Sequence, residues 1–334
     1  MPLQSDLALD TSALDSNAIS QKTNALNESL IELGRNGPRW WEVGPEKYRQ
    51  MRWDGETPCP KPAVVDSGKN INLPSREADR EVPCRVFTPD AGSPKAVFLH
   101  IHGGGWVLQS EHYQDLMLNW IAQNCQLTVV SVGYRLAPED PYPAGNDDCE
   151  DIAAWLVDHA QKEYGAPLAF MGGDSAGGHL SVVTCFRLLK SRPQFEFKGL
   201  VLNFGCFDLA AFLPHVHHFD MPLILTRDIM DHYIAAYLPN RSEAERRDPD
   251  ISPFFAHMKK LKCPPAIFTC GTLDPLLDDS VLMATKWTMS GAEAVLKLYP
   301  GAPHGFVFFP VGGTEETQKA LDDIKMFIDG RLLN

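Results

Sequence analysis

The chain reads as an α/β protein, a mostly parallel sheet wrapped by helices and roofed by a helical cap. Three observations carry that reading. From about residue 82, short apolar runs alternate with segments of helical length and spacing. The runs are continuous rather than alternating, which suits strands covered on both faces. Two glycine-rich turns, His102-Gly103-Gly104-Gly105-Trp106 and Gly173-Asp174-Ser175-Ala176-Gly177-Gly178, each follow such a run.

Taken in order, Leu14–Leu33 carries apolar residues at loosely helical spacing until Gly37-Pro38 interrupts it, and Pro45–Trp53 reads as a second short helix. Trp40, Trp41 and Trp53 are a dense aromatic supply for so small a segment. They either staple it to the main body or line a lid over an apolar ligand site. Val82–Thr88 alternates like a strand with one wet face. Ala96–Ile101, Leu127–Val132, Leu168–Met171, Leu200–Phe204 and Ala266–Cys270 are the continuous apolar runs, with Ala294–Tyr299 as a last strand. Leu116–Gln123, Ile152–Glu163, Gly178–Leu189 and Val281–Met289 are the intervening helices, and Glu316–Leu332 closes the chain as an amphipathic helix. Phe207–Pro253 breaks this rhythm, being far longer than the usual connection of about 2–6 residues. It carries a helix candidate at Arg227–Tyr237. The expected organisation is an N-terminal cap segment over 1–80 and a catalytic domain over 81–334 with a cap insertion at 207–253.

The 334 residues, 44% of them hydrophobic, suffice for one large domain. A formal charge of −13, from 43 acidic against 30 basic residues with no basic run, argues against nucleic acid or an anionic membrane as partner. The start, Met1-Pro2-Leu3-Gln4-Ser5-Asp6, lacks the basic and apolar regions of a secretory signal, and no apolar run approaches the ~20 residues of a membrane span. Eight cysteines without a C-x-x-C pair point to reduced thiols. A cytoplasmic location is expected.

The chemistry sits in the two glycine-rich turns. A chance G-x-S-x-G occurs in roughly one in ten chains of this length, so neither turn decides alone. Ser175 stands between an apolar strand and a helix, the context of a nucleophile turn. Side chains at 173 and 177 would collide with neighbouring elements there. The amide of Ala176, at the new helix's start, points toward a developing oxyanion. In the other turn Gly104 and Gly105 offer further amide donors, with Gly103 shaping the backbone. A serine nucleophile needs a base, and the base needs a carboxylate to orient it. Asp274 follows strand Ala266–Cys270 and His304 follows strand Ala294–Tyr299, giving the order Ser, Asp, His. Asp278 and Asp279 are rivals, expected further along at the start of the next helix.

With these motifs placed, the sequence resembles the hormone-sensitive-lipase-like branch of α/β-hydrolase carboxylesterases, which includes the arylacetamide deacetylases. The matching residues are His102–Trp106, Tyr134-Arg135-Leu136-Ala137-Pro138-Glu139, Gly173–Gly178, Asp274-Pro275-Leu276 with Asp278-Asp279, and His304-Gly305-Phe306, spread over roughly residues 82–330. The resemblance implies a triad of Ser175, Asp274 and His304 and oxyanion donors at Gly104, Gly105 and Ala176. His102, Gly103 and Asp174 support those motifs, His102 by bracing its loop rather than moving protons. Trp40, Trp41, Trp106, Phe207 and Phe306 are expected to wall the substrate pocket. The implied activity is hydrolysis of small-molecule esters with short to medium acyl chains, acetyl included, with no metal and no cofactor. An edge strand and closing helix would allow a homodimer. The departures are Asp278-Asp279, where the family often has Asp then Glu, and Asn203-Phe204-Gly205-Cys206, which replaces a proline-containing stretch. Two other readings keep the same fold: a lyase or cyclising enzyme that uses the oxyanion site on an enolate-like intermediate, and a non-catalytic receptor. His215, His217 and His218 lack acidic or Cys partners at ligand spacing and read as a polar cap loop. His100 reads as a hydrogen-bonded core residue, and Arg135 as an internal strut onto Asp147, Asp148 or Glu150.

Overall fold

The structure, a computed structural model, describes residues 8–309 and 314–333; the Met1–Asp6 stretch read above for a leader lies outside them. Eight strands form one sheet: β1 (Lys69–Pro74), β2 (Glu81–Phe87), β3 (Ala96–Ile101), β4 (Leu127–Val132), β5 (Leu168–Asp174), β6 (Gly199–Asn203), β7 (Ala266–Leu273) and β8 (Ala294–Pro303). Their order is β1-β2-β4-β3-β5-β6-β7-β8. β1 pairs antiparallel with β2 and β2 antiparallel with β4, while every pair from β4 to β8 is parallel.

Period-two alternation on these strands feeds two cores. Val97, Leu99 and Ile101 of β3 pack on one face with Ile152, Leu180 and Met283 from α5 (Ala144–Tyr164), α6 (Ala176–Ser191) and α10 (Leu277–Met289). Ala96 and Phe98 pack on the other face with Leu118 and Leu321 from α4 (Asp115–Cys125) and α11 (Glu315–Leu332). Each strand therefore has to be apolar throughout, which is the pattern of the continuous runs. The chain leaves β3 for β4 on one side and returns through α5 to β5 on the other. The carboxyl ends of β3 and β5 consequently flank a switch point, where diverging connections open a crevice.

Several expectations need revision. β1 was not foreseen and belongs to the sheet, so the sheet begins ahead of the expected boundary at 80/81. Only Ile71 and Leu73 of β1 are apolar, too few for a core-strand signal at a sheet edge. α5 starts eight residues before the expected Ile152, because its first turns are polar and contain Gly145, whose added Cβ would lie 2.8 Å from the Arg135 carbonyl oxygen. β5 runs on through Gly172 and Gly173 to Asp174. Short α2 (Trp40–Val43) and α3 (Pro45–Asp54) follow α1 (Gln21–Asn36), and the 207–253 stretch holds α7 (Pro214–His218), α8 (Arg227–Tyr237) and α9 (Glu243–Arg246). α3 is tied to the sheet by Arg49, which donates to the carbonyls of Val107 and Ala137 at 2.8 and 3.0 Å and pairs bidentately with Glu139. Arg135 is a strut on buried Asp148, with Glu77 as a further partner.

α6 lies so close to β3 that a Cβ on Gly177 would come within 1.9 Å of the Ile101 carbonyl oxygen. Backbone on one side and a helix start on the other leave no flexible atom to yield. Gly177→Ala is expected to destabilise the fold by at least about 1–3 kcal/mol, the usual range for overpacking, read as a lowered midpoint of urea unfolding. An unchanged midpoint would contradict this packing.

Candidate active site

β5 ends at Asp174 and α6 begins at Ala176, so one residue makes the whole turn. Ser175 takes φ 56° and ψ −118°, a region that L side chains occupy only under constraint. Its N–H donates to the Asn203 carbonyl at 2.9 Å. Beneath it runs a buried polar chain across five strands. Ser131 on β4 meets His100 Nδ1 on β3 at 3.0 Å, and His100 Nε2 donates to Asp174 Oδ2 at 2.9 Å. Asn203 Nδ2 on β6 donates to Asp174 Oδ1 at 2.6 Å, and Thr269 Oγ1 on β7 donates to Asn203 Oδ1 at 2.6 Å. His100 is thus a hydrogen-bonded core residue.

Ser175 Oγ lies 2.9 Å from His304 Nε2, in the turn after β8. His304 Nδ1 faces both Asp274 oxygens, at 3.1 and 2.9 Å. Asp274 is fully buried, and the Leu276 N–H donates to its Oδ1 at 2.9 Å. A carboxylate only accepts, so the His304 proton sits on Nδ1 and Nε2 is left to take the serine proton. The rivals are otherwise engaged. Asp278 Oδ2 accepts from the His215 N–H at 3.0 Å. Asp279 Oδ1 accepts from the amides of Phe207 and Asp208 at 2.6 and 3.2 Å. Burial pushes the Asp279 carboxyl up to about 8 despite those two amides.

The 102–106 turn closes the other side. Gly104 and Gly105 have φ of 98° and 63°. A Cβ on Gly104 would lie 2.2 Å from the Leu108 carbonyl oxygen, and one on Gly105 2.5 Å from the Tyr233 ring. Both glycines share a cavity with Ser175 and His304. No protein acceptor among the described residues takes their N–H groups. The Ala176 amide is at the first position of α6 and has no partner within the helix. The two glycines and the Ser175 side chain line one cavity, and Ala176 follows Ser175 directly in the chain. His102 Nδ1 donates to the Gly103 carbonyl at 2.8 Å, and its ring stacks on Tyr134 at 4.1 Å. Burial lowers its pKa to about 4, so it is a neutral brace.

Trp40, Trp41 and Trp106 line this cavity with Phe212, Leu225 and Ile229. Trp40 stacks on Tyr233 of α8 at 5.4 Å and Trp41 on His232 at 3.9 Å, so the N-terminal segment and the 207–253 stretch meet above the site. Phe207 and Phe306 do not line it. Phe207 is buried against Phe268, and Phe306 is buried between Phe204 and Tyr299. Phe308, two residues on from Phe306, lines the cavity instead. Arg52, Gln109 and Cys59 also line it, and none of them belongs to a motif that marks it in the sequence. Among the described residues no group of three His, Cys, Asp or Glu side chains is arranged to hold a metal. His217 is held by the Ala211 carbonyl and Arg227.

Residues 98–308 match the family described as alpha/beta hydrolase fold, and the chain belongs to that family. It is 34% identical over 255 residues to carboxylesterase NlhH of Mycobacterium tuberculosis, covering 73% of this chain and 78% of that protein. It is 27% identical over 286 residues to the ethyl acetate hydrolase of Pseudomonas putida, covering 83% and 89%. A solved hyperthermophilic esterase from the archaeon Pyrobaculum calidifontis is similar with a TM-score of 0.80 at 28% identity, covering 93% of this chain and 98% of that one.

Asp279 supplies a pH test. Its carboxyl holds a proton more tightly in the fold than at its ordinary value of 3.8. That contribution to stability is full below pH ~4 and is lost as pH rises through ~8. Asp279→Asn keeps an acceptor for both amides without the titration. Urea midpoints of the two proteins are expected to converge at about pH 4 and below, with wild type falling progressively below the variant up to pH 9. Parallel curves would contradict the raised value.

Proposed function

We propose that this carboxylic ester hydrolase works by two-step acyl transfer through Ser175, His304 and Asp274. The reading rests on one observation, the unbroken relay from Ser175 Oγ through both His304 nitrogens to Asp274, with 2.9 Å at each link. Ser175 gives its proton to His304 Nε2 as Oγ attacks the ester carbonyl carbon. The amides of Gly104, Gly105 and Ala176 receive the charge on the carbonyl oxygen. His304 then protonates the departing alkoxide, and water repeats the sequence on the acyl-enzyme. Asp274 keeps the proton on Nδ1 and offsets the positive imidazolium as it forms.

The substrates are small-molecule esters of short to medium acyl chains, acetyl included. The aromatic and aliphatic walls around Ser175 favour an apolar acyl group, and the names of the ethyl acetate hydrolase and carboxylesterase relatives support the range. Residues from the N-terminal segment and the 207–253 insertion act as a cap that selects the ester. A cytoplasmic location and a homodimer complete the reading. No helix among the described residues is long and apolar enough to cross a membrane. β8 is the last strand of the sheet, and Met326 on adjacent α11 is 71% exposed. Cell fractionation and sedimentation velocity test these two points; recovery in a membrane pellet, or a monomer at every concentration, overturns the one concerned.

Ser175→Ala is expected to lower kcat on butyl acetate by about a thousandfold or more, with little change in melting temperature. Full activity in that variant would remove Ser175 from the mechanism.

A further inference from the structure

A second chamber opens beside the first and shares with it Arg52, Cys59, Gln109, Ile224, His304 and Phe308. Arg52 and Gln109 stand on the boundary between the two, and Gln114 lines the second alone. Arg52, Gln109 and Gln114 line it with only 6%, 6% and 5% of their surface exposed. Arg52 Nε, Gln109 Oε1 and both polar atoms of Gln114 are buried with no hydrogen-bond partner. Arg52 has no carboxylate within ion-pair distance among the described residues. Its neighbours are the Cys59 thiol and the tyrosines Tyr48, Tyr113 and Tyr233, with the Tyr113 ring 5.4 Å from the guanidinium carbon. The described lining of the two chambers contains Arg39, Arg52 and Lys61 but no Asp or Glu, in a chain whose formal charge is −13.

A guanidinium cannot shed its proton to relieve burial, and a buried charge is stable only when something neutralises it. Its planar donor fork fits a carboxylate, and each glutamine amide can turn an N–H toward the same anion. The position of the chamber says which part of a substrate carries that anion. It is bounded by His304, Gly305 and Val307 and does not touch Ser175, Gly104 or Gly105. In acyl transfer His304 delivers its proton to the leaving oxygen, so the alcohol departs on the His304 side. We propose that the chamber is a carboxylate subsite for the leaving group, and that the preferred substrates are acyl esters of hydroxy acids, with Arg52, Gln109 and Gln114 holding the acid. The proposal rests on the ester-hydrolase reading above.

The test compares two acetates that differ in charge and little in shape: 4-acetoxybutanoate and 4-methylpentyl acetate, with acetate release as the readout. Wild type is expected to favour the anionic ester in kcat/KM by at least about tenfold, a difference the charge-assisted pair can supply. Arg52→Met should abolish that preference, read as the ratio of kcat/KM for the two esters, and Arg52→Lys should restore part of it. Gln114→Leu, which leaves the guanidinium in place, should lower kcat/KM for the anionic ester alone and serves if Arg52→Met does not fold. Hydrolysis of the neutral ester with no preference for the anionic one overturns the subsite and leaves the esterase reading standing. A preference for monoethyl glutarate over 4-acetoxybutanoate overturns the leaving-group assignment. Hydrolysis of none of these esters overturns the esterase reading, and the subsite with it.

Discussion

The site depends on holding Ser175 in a left-handed backbone conformation at the tip of β5. Such a residue costs of order 1–3 kcal/mol and persists only where its surroundings over-determine it. Here the surroundings are the buried chain from Ser131 through His100, Asp174 and Asn203 to Thr269, which crosses β4, β3, β5, β6 and β7 in their spatial order. Asp174 fixes one end of the turn through its side chain, and the Asn203 carbonyl takes the Ser175 N–H. The same strand order places the 102–106 turn beside Ser175. Close approach then does the rest, since Gly173 and Gly177 pack on the Ile101 carbonyl with no room for a side chain. A sheet that positions its reactive turn through backbone contact and a buried polar ladder leaves the surface above free to vary.

That surface is built from two distant pieces of chain. α2 and α3 precede the parallel sheet, and α7 to α9 lie between β6 and β7, yet Trp40 and Trp41 stack on neighbouring residues of α8. Arg49 joins this roof to the floor by binding the Val107 carbonyl, just past the glycine turn, and the Glu139 carboxylate. The two chambers divide the resulting space by chemistry. Aromatic and aliphatic side chains wall the one around Ser175, Arg52 and Gln109 stand between the two, and Gln114 adds buried unpartnered polar atoms to the other. Under the proposed mechanism the reaction is fixed by the sheet, while the choice of ester falls to side chains outside it.

Much of this was legible before the structure, and for a physical reason. Strands covered on both faces must be apolar at every position, so β3 to β7 announce themselves. Ser175 and Asp274 follow such strands and His304 follows the edge strand β8, in the Ser, Asp, His order of serine hydrolases on this fold. What escaped had no local signature. β1 offers only two apolar residues, and the start of α5 is polar because Asn146, Asp147 and Asp148 pair with Tyr237, Arg187 and Arg135. Phe207 and Phe306 were misplaced because proximity to a motif along the chain does not fix the direction of a side chain. Phe306 turns into the core while Phe308 turns into the cavity. Arg52, Gln109 and Gln114 are ordinary polar residues until folding buries them together.

The central claim is that the strained residue at the tip of β5 is the nucleophile. Reaction with a fluorophosphonate, followed by peptide mapping with tandem mass spectrometry, reads that residue directly. The account predicts a single adduct, on Ser175, whose formation parallels the loss of esterase activity. An inactivated protein with Ser175 unmodified and the adduct on another residue would contradict it.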